Sequence, residues 1–452
     1  MTNIVLVTVD SLRADRVGCY GHERDTSPTV DALADEGLQF DGYANAHATR
    51  ASFPAILTGT YPLEFGGAGY MSEGRSIVAE PLSAAGYHTG GFHSNLWLSR
   101  DYGYDRGFDH FYDSKSDPSL LARLRSWVKL NVPQDSAVYG LLQRLYDTTE
   151  EKAGVNVGNT YQDAEVITDR AVDWLADADE SFFCWVHYMD VHHPYVPRTE
   201  AAASFGLDLD CSQQEAIRLR RKMLEEPGEL TDAEHRTILD LYDAEIRYTD
   251  REIGRLLDAV DRHTDEETAV VLTADHGEEL GDHGAYGHSS TMYDEILHVP
   301  FVVSPPESAE LDPARAGEAV ELLDVPPTVC DLAGVEPPET YRGRSALDRL
   351  GTGDQPAVIS ETDLDEEYKL SLRADGWKYI WDRETERTEL YDLDADPGET
   401  DDVVETASER AESMRETLTE HLGDLRATNE SVPEVSMDAT TEERLRDLGY
   451  LE

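Results

Sequence analysis

Three acidic or histidine-bearing segments each follow directly on a short apolar, β-branched run. Asp10 closes NIVLVTVD, Asp190 and His192 follow FFCWVHYM, and Asp275 with His276 follows AVVLTA. Such runs read as buried strands, and in an open α/β sheet ligands gather beyond the carboxyl ends of the strands. Residues distant in sequence would then meet at one rim. Asp10, Asp275 and His276 offer carboxylate oxygen and imidazole nitrogen without a thiolate, a donor set suited to one divalent cation: manganese, zinc, magnesium or calcium. Taken singly, an Asp after a strand is more often a turn or helix-cap residue. The set together points to a metal.

A fourth piece is HATRASFPAILTGTYP, where Thr49 stands just ahead of an expected helix that stops at Gly59. In that place Thr49 is either a plain N-cap or a hydroxyl aimed at a tetrahedral anion, which the helix dipole and the freed N–H groups would favour. A metal on the same hydroxyl would lower its pKa and make it a nucleophile at neutral pH.

The elements that must hold these groups follow from periodicity. Strands are expected at Asn3–Val9, Phe182–Tyr188, Ala269–Thr273 and Val299–Val303, and helices at Ser27–Glu36, Asp163–Ala178 and Leu230–Val260. The last helix carries Ile238, Leu241, Tyr242, Ile246, Ile253, Leu256 and Leu257 near helical spacing. Strands alternating with helices imply a largely parallel sheet covered by helices. After Pro356 the pattern changes to short strands at Ala357–Glu361, Tyr368–Arg373, Lys378–Trp381 and Thr388–Tyr391, then an acidic helix over Val403–Ala427. These read as a small antiparallel sheet plus helix. We therefore expect a catalytic α/β domain over 1–350 and a smaller α+β subdomain over 351–452. Between Ser114 and Gly158 the spacing of Leu120, Leu121, Leu124, Trp127 and Val128 suggests an amphipathic helix serving as a lid or partner surface.

Composition narrows the partners. The 452 residues hold 38 Lys+Arg against 93 Asp+Glu, a formal charge of −55, so attraction to nucleic acid or an anionic membrane is not expected. With 40% hydrophobic residues and 22 Tyr the acid belongs on a folded surface rather than a disordered tail. Such a surface repels itself unless salt screens it, which suggests a high-salt cytosol. Cys19, Cys184, Cys211 and Cys330 are far apart and read as reduced thiols. The first residues form a core strand rather than a leader, and no apolar run is long enough to span a bilayer, so a cytoplasmic location without a membrane anchor is expected. No Gly-rich phosphate loop is present; Gly66, Gly67 and Gly69 read as a turn.

Taken in order, NIVLVTVDSLRAD, the Thr49 segment ending in ILTGTYP, HYMDVHHPY, TADHGEELGDHG with GHSSTMYDEILHVPFVV, and GWKYI…ELYDLDADPGE resemble the sulfatase family of the alkaline phosphatase superfamily. The ordered series runs from Asn3 to the closing LRDLGYLE. The resemblance implies an alkaline-phosphatase-like central, mostly parallel sheet flanked by helices, with a smaller C-terminal antiparallel sheet plus helix. It also implies hydrolysis of small-molecule sulfate or phosphate esters at a metal site. Carried over by position, Asp10, Thr49, Asp275 and His276 look like metal ligands. His192 looks like the histidine that contacts the ester oxygens, and His288 like a polar group facing substrate or leaving group. Arg50 and Ser52 join the expected substrate contacts, while Asp190 and His283 are weaker candidates.

The departures are informative. The family pattern C/S-x-P-S-R falls here on Thr49, Ala51, Ser52 and Phe53. A Cys or Ser there is oxidised to formylglycine, but threonine carries a β-methyl and cannot give that aldehyde, so formylglycine is not expected. The family's arginine is replaced by Phe53, with Arg50 as a possible substitute charge. Ser11 stands where the family often has a second Asp, which shifts the metal expectation toward manganese, zinc or magnesium. Pro194 occupies the position of a second-metal histidine, which favours one ion unless His192, His283 or His288 builds a second site differently.

The expected mechanism is in-line attack by metal-activated Thr49, with His192 or His288 protonating the departing alkoxide. A phosphodiester or phosphonate-ester hydrolase, a head-group transferase, and an inactive metal-binding relative remain the alternatives. Glu278 and Asp282 are expected as solvated or supporting groups, and His187 and His193 as structural.

Overall fold

A computed structural model describes residues 1–114, 161–178, 181–264, 266–289, 291–306, 308–309, 318–353, 355–364 and 367–425. The Leu120–Val128 segment lies outside the described residues, as does the closing LRDLGYLE.

Fourteen strands are found among the described residues: β1 (Asn3–Val9), β2 (Leu38–Tyr43), β3 (His88–Phe92), β4 (His110–Tyr112), β5 (Phe182–Tyr188), β6 (Thr268–Ala274), β7 (Glu279–Leu280), β8 (Tyr286–Gly287), β9 (His298–Ser304), β10 (Ala319–Glu321), β11 (Val358–Leu364), β12 (Glu367–Ala374), β13 (Trp377–Asp382) and β14 (Thr388–Asp392). Eight of them form one sheet in the order β10-β2-β9-β6-β1-β5-β3-β4. Every neighbouring pair is parallel except those made by β9, which runs against β2 and β6. The mostly parallel α/β architecture is thus present, with one reversed strand inside it.

The central strands are buried along their whole length, as expected where helices cover both faces. β1 lies between β5 and β6, with Val9 beside Tyr188 on one side and Ala274 on the other. The three strand ends are therefore level, and the residues that follow them emerge together. The helix Asp232–His263 begins with a capping box of Thr231 and Glu234 and buries Ile238, Leu241, Tyr242, Ile246, Ile253 and Leu256. Leu257 is only partly buried against the same core.

Strands β11-β12-β13-β14 form the antiparallel sheet, and the helix Ser408–Leu425 packs Met414, Leu418 and Leu422 against it. That helix starts later than the acidic pattern suggests, because residues 404–407 are turn and bend. The second sheet is tied to the first through a buried ammonium: Lys378 meets Asp294 at 2.7 Å and Glu399 at 2.9 Å. The four cysteines are free thiols. Around Gly66 and Gly67 the chain turns with positive φ at both glycines.

Candidate active site

β1 delivers Asp10 and β6 delivers Asp275 and His276 to the same rim, where all three are fully buried. One ligand atom from each lies within 4.8 Å of the others. Ser11, in a left-handed conformation at φ 57°, folds back between them. Its hydroxyl donates to Asp10 Oδ1 at 2.9 Å and its N–H to Asp275 Oδ1 at 3.2 Å. The Tyr242 hydroxyl, from the long helix, holds the Ser11 carbonyl at 2.6 Å.

Thr49 comes from the next turn of chain after β2. Asn45 pins that turn, donating to Glu321 and to the Ile359 carbonyl at 2.9 Å each and accepting from Leu323 N at 3.1 Å. Ala48 is the N-cap and Thr49 the first residue of the helix Thr49–Thr58, with Gly59 as its left-handed stop. The N-cap reading of Thr49 is thus corrected by one position. Its hydroxyl makes no cap bond and donates to Asp10 Oδ2 at 3.0 Å, with His276 Nε2 3.4 Å away. The structure brings Thr49 and the three expected ligands together.

The electrostatics follow from burial. Burial alone would raise the Asp10 carboxyl, but His187, His192 and His276 hold it well below the usual range. Burial and then the charge of Asp10 push Asp275 up to about 8. His276 is lowered to about 4, mainly by burial. Its Nδ1–H donates to the Gly277 carbonyl at 2.7 Å, which leaves Nε2 with the lone pair. Asp275 Oδ2 is buried without a hydrogen-bond partner. A buried carboxylate pair, an orphaned oxygen and an oriented imidazole fit a divalent cation.

His192 and His288 line the other side, their rings 4.8 Å apart, and His288 lies 4.9 Å from His276. Burial lowers His192 to about 3. Burial also acts to lower His288, but the Glu278 carboxylate, 3.4 Å from Nδ1, raises it overall. Glu278 is therefore a buried supporting group, and Asp282 is the ion-pair partner of Arg13 at 2.6 Å.

Other expected residues have partners of their own. Ser52 donates to the Ala46 carbonyl at 3.1 Å, and the Arg50 guanidinium lies 4.6 Å over the Trp97 ring. Asp190 pairs with Arg198 at 2.9 Å, away from the carboxylate set. His283 is held by Glu295 and the Glu399 carbonyl.

Three histidines were not expected near the chemistry. His187 Nε2 stands 3.5 Å from Asp10 Oδ2, His193 packs against His192 with ring centroids 4.4 Å apart, and buried His47 is lowered to about 3 by desolvation and by His288 and His276. His47 lies two residues before Thr49, a proximity that was the only sequence signal for it.

Comparison with known proteins matches a Sulfatase family model over residues 2–335 and the C-terminal model of N-sulphoglucosamine sulphohydrolase over residues 281–428. The chain is 27% identical over 374 residues to the uncharacterized sulfatase YidJ of Escherichia coli, covering 76% of this chain and 70% of that protein. It is 25% identical over 463 residues to an arylsulfatase of Clostridium perfringens, covering 93% and 94%. Among solved structures, the phosphonate monoester hydrolase of Agrobacterium radiobacter superposes with a TM-score of 0.65 at 20% identity, covering 94% and 96%.

Proposed function

Because the chain belongs to the sulfatase family of the alkaline phosphatase superfamily, a family of sulfuric and phosphoric ester hydrolases, we propose that it cleaves small-molecule esters of this class with Thr49 as nucleophile. The observation that carries this reading is the buried Thr49 hydroxyl, 3.0 Å from Asp10 and 3.4 Å from His276. Asp10, Asp275 and His276 would hold a divalent ion together with Thr49 Oγ1. When bound, the ion supplies the positive charge that lowers the hydroxyl pKa and offsets charge on the ester oxygens.

Thr49 Oγ1 bonds to sulfur or phosphorus, its proton passing along the hydrogen bond to Asp10, as the bond to the alcohol oxygen breaks and that oxygen takes up a proton. Asp10 orients the hydroxyl for attack. His192 and His288, whose ring centroids lie 4.8 Å apart, are proposed to neutralise charge on the departing oxygen. Threonine cannot expel the sulfuryl or phosphoryl group by collapsing to a carbonyl, so water must attack the esterified Thr49 at sulfur or phosphorus, returning the proton and freeing the hydroxyl. Arg50, held over Trp97, lies one residue from the nucleophile and is proposed to meet further negative charge on the substrate.

A phosphate- or phosphonate-ester substrate is supported by Thr49 itself, which has no aldehyde route and must be freed by water attack on the esterified residue. Where the family pattern has an arginine, the Phe53 ring sits edge-on to His187 at 4.9 Å and contributes no charge. Thr49→Ala should keep the fold and lose turnover by at least the two to four decades typical of losing a group central to catalysis. The assay pairs aryl sulfate, phosphate monoester, phosphodiester and phosphonate substrates with several divalent ions. Undiminished turnover in Thr49→Ala contradicts the assignment, and no turnover of any ester by the wild type favours a binding protein.

A further inference from the structure

Arg50, one residue after Thr49, has no counter-ion among the described residues of a chain that holds 93 Asp+Glu against 38 Lys+Arg. It is partly buried, its Nε is buried without a hydrogen-bond partner, and no carboxylate or carbonyl among the described residues bonds it. Its guanidinium rests on the Trp97 ring at 4.6 Å instead. Two other guanidinium groups of the fold show the usual arrangement. Arg198 meets Asp163, Asp190 and Glu245 at 3.2, 2.9 and 2.9 Å, and Arg75 donates to the Thr60 hydroxyl at 2.9 Å and the Pro62 carbonyl at 3.0 Å. Withdrawing a charge from water without such partners is unfavourable, and a ring face offsets only part of the loss.

Three neighbours shape the space around Arg50. Trp97 follows β3, which runs parallel to β5 with Phe92 beside Val186, so the chain leaves β3 at the rim where Asp190 and His192 follow β5. Asn95 ties the two exits together, its Nδ2 3.3 Å from Met189 Sδ. Tyr102, with its ring 5.5 Å from that of Trp97, is 4% exposed, and its hydroxyl is buried without a hydrogen-bond partner. A buried polar atom in that state needs a partner that protein groups do not supply. Burial raises the Tyr102 pKa, with the Arg50 charge acting against it, so the hydroxyl keeps its proton and remains a donor. Gly69 is the third neighbour: a Cβ there would come within 3.1 Å of Arg50 Nη2. Its φ is not in the left-handed region, so the missing side chain serves space rather than backbone conformation.

We propose that Arg50, Trp97 and Tyr102 form a subsite for a second anionic group of the substrate, so that the ester cut at Thr49 carries a carboxylate, phosphate or sulfate besides the reacting group. Arg50 supplies the charge and Tyr102 a hydroxyl donor, and the oxygens of such a group accept from both. The Trp97 face holds the planar guanidinium in place, which reduces the freedom lost on binding. A chain of net charge −55 disfavours a multiply charged ligand at long range, so a local cation is needed to hold one. The proposal rests on the Thr49 reading for what is cut, and not for what is bound.

The test compares phenyl phosphate with 3-carboxyphenyl and 4-carboxyphenyl phosphate, which add a carboxylate at two different reaches. Full-length protein, in manganese(II) and a fixed concentration of KCl, is read by steady-state turnover and, in Thr49→Ala, by calorimetric Kd. At least one carboxylate ester should bind Thr49→Ala about tenfold more tightly than phenyl phosphate, in the range of a hydrogen bond to a charged group, with the same preference in the wild-type KM. Arg50→Met, which keeps an apolar stem on Trp97, should erase the preference, and Arg50→Lys should restore part of it, which separates loss of charge from loss of fold. Equal binding of all three esters, or an undiminished preference in Arg50→Met, overturns the subsite. Full turnover by Thr49→Ala with the preference intact would leave the subsite standing and remove the nucleophile; lost turnover in Thr49→Ala without any preference would do the reverse.

Discussion

Two carboxylates buried against each other destabilise a fold unless a cation joins them, and Asp10 and Asp275 are in that position. Asp275→Asn removes that charge–charge repulsion and one ligand. We expect the metal-free variant to be at least as stable as the metal-free wild type. A saturating divalent ion should stabilise the wild type by about 2.7 kcal/mol at a hundredfold excess over Kd and the variant far less. Thermal unfolding with and without the ion measures both, and equal stabilisation of the two proteins would contradict the ligand role. Asp10, Thr49, Asp275 and His276 were legible in the sequence because each adjoins the end of a strand or the start of a helix. His187 was not: it lies inside β5, which is buried on both faces, so no polar alternation marks it. His193 draws its place from a side-chain direction that spacing does not encode.

At the scale of elements, the long helix Asp232–His263 supports its neighbour Pro28–Glu36 from the side. Asp250 accepts from Thr29 N at 2.9 Å and Val30 N at 3.0 Å, occupying first-turn donors that Ser27, the N-cap, leaves open. Asp250→Ala should cost about 1–3 kcal/mol, the range for leaving buried donors unsatisfied. Burial raises the Asp250 carboxyl from 3.8 to about 6, so the folded state binds its proton more tightly than the unfolded one. Its stabilising effect is therefore greatest below pH 3.8, falls as pH rises to about 6, and is level beyond. Denaturant titrations of wild type and variant across that range check the sign; a difference that grows with pH would refute it.

The same helix was readable from its apolar spacing, and so were β1, β5, β6 and the four strands of the second sheet. β2 and β3 were not. In β3 a Cβ on Gly90 would come within 2.9 Å of the Trp174 ring, and in β2 one on Gly42 within 2.5 Å of the Val299 carbonyl. Close packing thus selects glycine where a propensity reading sees a break. The reversal of β9 depends on which neighbour it pairs with, and its apolar run is the same in either direction.

Over the whole molecule, a formal charge of −55 repels itself, and salt is expected to screen that repulsion. No helix among the described residues is long and apolar enough to cross a membrane. With a Debye length of about 8 Å at physiological strength and about 3 Å at 1 M, repulsion between surface carboxylates largely vanishes in molar salt. We expect Tm to rise steeply from dilute buffer to molar KCl, and an unchanged Tm would argue against a salt-rich habitat. The proposed chemistry converges on a single atom, Thr49 Oγ1. Mass spectrometry of enzyme quenched during turnover, followed by peptide mapping, tests that atom directly: a sulfuryl or phosphoryl group should be found on Thr49, and a trapped group on any other residue, or none under conditions where the intermediate accumulates, would contradict it.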